Sequence, residues 1–145
     1  MSLDGVYDPD NIFAKIVRGE APAAKVFEDH DTMAFMDVFP QGRGHTLVIP
    51  KHAHGRNLLD VDPAALQATI LTVQRVTRAV RAALKPDGVF VAQFNGSVAG
   101  QTVYHLHFHI IPRWDGVALG RHGEGGMADM GELAKLAKAI ADEIS

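Results

Sequence analysis

The nine residues Tyr104 to Pro112 read YHLHFHIIP. Histidines stand at 105, 107 and 109, and large apolar residues fill the positions between them. A period of two is that of a β-strand, in which successive side chains point to opposite faces. The alternation predicts a strand over 105–113 that sends His105, His107 and His109 to one face. Leu106, Phe108 and Ile110 then go to the other face, against the core. The imidazoles would occupy the side of the sheet that the core leaves unused.

The segments on either side fit the same sheet. GVFVAQFN (88–95) reads as a neighbouring strand, joined to the histidine strand by the glycine-containing loop GSVAGQTV. KVFED (25–29) and TMAFMD (32–37) read as two strands about a tight polar turn, and HTLVIP (45–50) as another after the turn FPQGRG. Asp10-Asn11 caps a short helix on which Ile12, Phe13, Ile16 and Val17 share one face, ended by Ala21-Pro22. Asp62-Pro63 opens a long helix running to about Leu84, an N-cap followed by proline at the first helical position. Its apolar stripe is Leu66, Ile70, Val73, Val76, Thr77, Val80 and Leu84, with Arg75, Arg78 and Arg81 on the wet side. After Trp114, DGVALGRHGEGG reads as a mobile connection, and a last helix spans about Met130 to Ile144. With no repeat and no linker, residues 1–145 form one domain, with 1–10 an N-terminal extension and 115–145 a variable tail. The pattern is α+β: a mixed sheet of about five strands, one long helix and a shorter terminal one.

Composition narrows the function. The 145 residues are 47% hydrophobic and 21% charged, with a formal net charge of −3. No basic excess points to nucleic acid or a membrane surface. No apolar run reaches the ~18 residues that a membrane span needs. The first residues lack the apolar core of a signal peptide. The chain has no cysteine, which excludes disulfides, thiolate ligands and cysteine nucleophiles and fits a cytoplasmic protein.

Three imidazoles on one face admit a metal site, a nucleophile with helpers, or a surface ladder. Same-face neighbours on a strand are about 6.5–7 Å apart, so His105 and His109 would be roughly 13 Å apart. Zinc wants nitrogens about 2 Å from one centre, so three histidines of a straight strand cannot share it. A metal would need a ligand from elsewhere, and His45 is the candidate. Neutral imidazole is itself a nucleophile and a good leaving group near neutral pH. A central histidine attacking phosphorus, flanked by two that hold its tautomer and donate protons, uses the whole stretch. The non-bridging oxygens would need donors. Asn95, Gly100, Gln101 and Thr102, in the loop just before, are the candidates.

These residues carry a wider resemblance. GQTVYHLHFHIIP (100–112) resembles the signature of the histidine triad (HIT) family, and residues 12–52 are similar to that family's N-terminal half. The look is that of its bacterial Hint-like branch. The resemblance implies a HIT-like α+β fold with a mostly antiparallel sheet, and a homodimer whose two sheets join. It implies cleavage or transfer of a nucleoside monophosphate through a nucleotidyl-histidine intermediate. His107 would be the nucleophile, His109 would contact phosphate and leaving group, His105 would support the nucleophile, and His45 matches the family's fourth histidine. Asp37 matches the acid that binds the ribose hydroxyls. Ile12, Phe13, Ile16, Phe35 and Val38 match the base slot. Asn95, Gly100, Gln101 and Thr102 fall at the phosphate loop. Several bacterial members carry Cys-x-x-Cys where this chain has Asn11-Ile12-Phe13-Ala14. With both thiols missing, no such structural zinc and no cofactor is expected. His30, His52, His54 and His122 are expected at the surface.

The expected function is hydrolysis of a purine (AMP or GMP) phosphoramidate or related conjugate. The alternatives are a nucleotide-binding partner protein with incidental catalysis and a dinucleoside polyphosphate hydrolase.

Overall fold

The computed structural model describes residues 2–121 and 125–145. Helix α1 (Ile12–Val17) is capped by Asn11, whose side chain accepts from the Ala14 N–H. Strands β1 (Lys25–Glu28), β2 (Thr32–Met36) and β3 (Thr46–Pro50) follow, then α2 (Pro63–Leu84), β4 (Gly88–Ala92), β5 (Phe108–Arg113) and α3 (Met130–Ala141). The five strands form one sheet in the order β1-β2-β3-β5-β4. All four pairings are antiparallel, so the sheet is not mixed.

The period of two sorts β2 and β3 between two apolar clusters, while β5 joins the first. Ala34, Met36, Val48, Phe108 and Ile110 meet Val73, Val76 and Val80 of α2 and Leu133, Ala137 and Ile140 of α3. Met33, Phe35, Leu47 and Ile49 meet Phe13, with Ile16 and Val17 packed against them. The histidine face of the sheet is therefore not left unused, as the sequence suggested. A second small core covers it, because α1 supplies Phe13 as a lid. Burying such a ring stabilises the fold by roughly 1.5–3 kcal/mol.

Several boundaries differ from the sequence reading. The histidine strand begins at Phe108 rather than residue 105. Its partner β3 ends at Pro50, which has no N–H for a ladder, and whose carbonyl lies 2.9 Å from the Nε2 of His105. The Leu106 N–H donates instead to the Gly55 carbonyl. Leu106 still points into the main core with Phe108 and Ile110, so the alternation outlasts the ladder. β4 stops at Ala92 rather than 95, and the side-chain amides of Gln93 and Asn95 then pair with each other. α3 ends at Ala141, short of Ile144. On α2, Ile70 faces solvent, while Thr69 and Thr72 turn inward. Their hydroxyls are satisfied, Thr69 on the Ala65 carbonyl and Thr72 with Thr32.

Candidate active site

The hydrogen bonds around the histidines fix their tautomers. A carbonyl only accepts. The Nε2 of His105, against the Pro50 carbonyl, must therefore carry the proton. Its Nδ1 is then the lone-pair nitrogen, and the Tyr7 hydroxyl donates to it at 2.7 Å. The Nδ1 of His107 lies 2.7 Å from the backbone carbonyl of His105, so it too is protonated. Nε2 of His107 is left as the basic, nucleophilic nitrogen. Burial pushes His107 down to about 3, and the neighbouring His109 adds to the effect. Burial likewise brings His105 down to about 4. Both rings are neutral at physiological pH.

The same logic runs through the second pair. The Gln41 N–H donates to Nδ1 of His45 at 3.0 Å, which places the His45 proton on Nε2. That nitrogen lies 2.9 Å from Nδ1 of His109 and 3.4 Å from Oδ2 of Asp37. His45 therefore donates to His109, and a neutral His109 carries its own proton on Nε2. Asp37 is buried, and its Oδ1 accepts from the Phe39 N–H. Gly44 sets His45 in place: its φ is +86°, and a Cβ there would come within 2.5 Å of Leu84 and 2.9 Å of Pro112.

A cavity of about 370 Å³ opens on this group, within the ~300–1,000 Å³ of small-molecule sites. His107 and His109 line it, with Asp37, Ile12, Phe13, Ile16, Phe35, Val38 and Thr102. The ring of Phe13 stands edge-on to His107 at 4.9 Å and to Phe35 at 5.4 Å. A wider depression beside Asp87, Arg113 and Trp114 holds none of the sequence-predicted site residues.

Asn95, Gly100 and Gln101 stand apart from the cavity wall. Asn95 accepts from the Leu58 N–H. The buried Gln101 amide accepts from the Gly96 N–H and donates to the Arg56 and Val103 carbonyls. The backbone N–H groups of Gly100 and Gln101 donate to Ser97 and Gly96. Gly100, at φ +110°, closes this turn where a side chain would be strained. These groups are engaged in building the loop.

The tail contributes walls that the sequence did not suggest. Met127 and Met130 line the cavity. Hydrogen bonds Gly120 N–H to Gln41 O and Ala128 N–H to Val38 O tie these two residues to the site. The methionine pair in MADM was the only trace of these walls in the sequence. Tyr7 was also missed; an aromatic in a polar N-terminal segment was the available signal. His30, His52 and His54 are exposed, whereas His122 lies outside the described residues.

Among the described residues, one group converges as metal ligands would: Asp37, His45 and His109, with donor atoms within 4.8 Å of one another. The donor set fits a cation poorly. The Gln41 N–H opposes moving the His45 proton to Nδ1, and a metal would need the Nε2 lone pair.

Comparison with known proteins supplies a wider frame. The HIT domain model matches residues 18–116. Adenosine 5'-monophosphoramidase HNT1 of Candida albicans is 34% identical over 92% of this chain and 91% of its own. The crystal structure of a HIT-like protein from Bartonella henselae, described as involved in cell-cycle regulation, superposes with a TM-score of 0.88. It is 48% identical, covering 95% of this chain and 99% of that one. A zinc-bound histidine triad protein from Mycobacterium smegmatis superposes with a TM-score of 0.80 at 33% identity, covering 92% of each.

Proposed function

The chain belongs to the HIT family, and on that premise we propose that it is a nucleotide-binding hydrolase or transferase. It cleaves a purine nucleoside monophosphate from a phosphoramidate or related conjugate, through a nucleotidyl intermediate on His107. The observation that carries this reading is the hydrogen bond from Nδ1 of His107 to the His105 carbonyl. It leaves a neutral imidazole with its lone pair on Nε2, at the wall of a cavity of nucleotide-binding size.

Nε2 attacks phosphorus and the bond to the leaving nitrogen breaks; the Nε2–H of His109 hydrogen-bonds that nitrogen, which leaves as the amine with a proton taken up from solvent. As His107 becomes cationic, the His105 carbonyl stabilises its Nδ1–H. Water then attacks phosphorus, loses a proton to solvent and releases His107 and the monophosphate. Asp37 accepts hydrogen bonds from the ribose hydroxyls, Phe13 and its apolar neighbours hold the base, and Thr102 meets the phosphate. Asn95, Gly100 and Gln101 serve by shaping the loop behind it.

In the same reading two copies pair along the β4 edge. That strand ends the sheet and exposes Phe90 and Val91, an apolar edge of the kind that invites pairing. Light scattering giving a monomer mass would remove the dimer.

The test is adenosine 5'-phosphoramidate turnover by the intact protein and by His107→Ala. Acid-labile, alkali-stable label should be trapped on the wild type from phosphorus-labelled substrate. Turnover should vanish in the variant while AMP still binds. Undiminished turnover in His107→Ala would sink the assignment. Tight AMP binding without turnover of phosphoramidates, nucleotide sugars or dinucleoside polyphosphates would favour a nucleotide-binding partner protein.

A further inference from the structure

The described residues before α1, 2–11, form no helix or strand, yet one of their side chains reaches the histidine group. From Leu3 to Asp10 every residue except Tyr7 is exposed. The Tyr7 ring lies parallel on His54, with centroids 4.9 Å apart. Its hydroxyl is 2.7 Å from Nδ1 of His105, a ring buried beside the nucleophile. The segment is held down on both sides of this contact. Arg56 donates to the carbonyls of Ser2 and Val6, and Asn57 to that of Leu3. Ser2 bonds to Ser97 in the loop that precedes the triad. The segment is thus a strap across the loop and the first histidine.

We propose that Tyr7 is a positioning residue for the nucleophile. The inference rests on the nucleotidyl-histidine reading above. The physical chain is short. The Pro50 carbonyl demands the proton on Nε2 of His105, and the Tyr7 O–H satisfies the lone pair left on Nδ1. With both nitrogens engaged, the His105 side chain cannot rotate or exchange tautomers without leaving a buried polar group unpaired. The backbone carbonyl of that same residue receives Nδ1–H of His107. Tyr7 touches neither substrate nor reacting atoms. It fixes the residue whose carbonyl aims the His107 ring and steadies the positive charge that develops there.

The experiment is Tyr7→Phe, which keeps the ring on His54 and removes only the O–H. The kcat for adenosine 5'-phosphoramidate should fall roughly tenfold, the size of one positioning hydrogen bond. KM and AMP affinity should stay within about twofold, because no substrate contact is lost. Nitrogen NMR of histidine-labelled protein reads the mechanism directly: the His107 Nδ1–H signal should move and exchange faster with water in the variant. Wild-type kcat together with an unchanged His107 signal would overturn the proposal. If the wild type turns over no phosphoramidate, the functional reading fails by itself, and the His107 signal still decides the role of Tyr7. If Tyr7→Phe does not fold, the wild-type spectrum decides: a proton on Nδ1 of His105 would overturn the assignment, and one on Nε2 supports it.

Discussion

Nε2 of His45 donates to Nδ1 of His109 across 2.9 Å, inside the protein and 64 residues apart in sequence. The relationship determines which nitrogen of His109 carries a proton when the ring is neutral. In the proposed reaction that N–H hydrogen-bonds the leaving nitrogen. Removing the donor with His45→Ala lets His109 adopt the other tautomer. The kcat for adenosine phosphoramidates of basic amines should drop about 10- to 100-fold, and less for conjugates whose leaving group needs no proton. His45→Gln, with an amide N–H near the position of Nε2, should recover part of the loss. An equal loss for every leaving group would count against this role of the pair.

Asp37 offers a sharper test of the nucleotide reading. Asp37→Asn keeps an oxygen for the Phe39 N–H but places a donor amide where the carboxylate faced the cavity and His45. The wild type should prefer adenosine over 2′-deoxyadenosine 5'-phosphoramidate by about tenfold or more in kcat/KM. The preference should shrink toward unity in the variant. A wild type indifferent to the 2′-hydroxyl would remove Asp37 from ribose recognition.

The buried histidines also make stability depend on pH. Burial holds His105 near 4 and His107 near 3, against an ordinary value of 6.5. Below pH 6.5 the unfolded chain binds protons that the native state refuses. Stability is therefore fully present above about 6.5 and is lost as pH falls toward 4 and 3, with a slope of up to about 1.4 kcal/mol per pH unit for each ring. Urea midpoints measured from pH 7.5 down to 4.5 should decline, and His107→Gln should decline less steeply. Midpoints that rise on acidification would contradict neutral burial.

Metal dependence gives a fourth outcome. The Gln41 N–H that fixes the His45 tautomer works against a cation held by Asp37, His45 and His109. Turnover should survive exhaustive chelation within about twofold, and added zinc should inhibit only weakly. Loss of activity on chelation with recovery on zinc would show that the tautomer argument fails.

Much of the sheet could be read from patterning alone. Asp62-Pro63 marked the start of α2 because proline at a first helical turn lacks only an N–H that has no partner there anyway. The strand positions in 25–50 followed from short apolar runs bounded by turn residues and by Pro50. The misreadings sit where side chains compete with the backbone. The histidine strand starts late because the Pro50 carbonyl is taken by an imidazole. Ile70 faces water while Thr72 is buried, because a threonine with a hydroxyl partner is tolerated inside. Both depend on a partner distant in sequence.

The candidate site divides in the same way. The alternation YHLHFHIIP by itself set the histidines against Leu106, Phe108 and Ile110, because a strand-like backbone leaves two faces and no other choice. The apolar stripe of α1 likewise marked Phe13 for burial, whereas Ile16 is half-buried and Ile12 is exposed. Only the tertiary structure decided which nitrogen of each ring carries the proton. That depended on the carbonyls of Pro50 and His105, the N–H of Gln41 and the hydroxyl of Tyr7. It also brought Met127 and Met130 to the cavity wall. A periodic pattern states which way a side chain points. A tautomer is set by the donor or acceptor that meets it, and those groups arrive from segments that no local pattern connects.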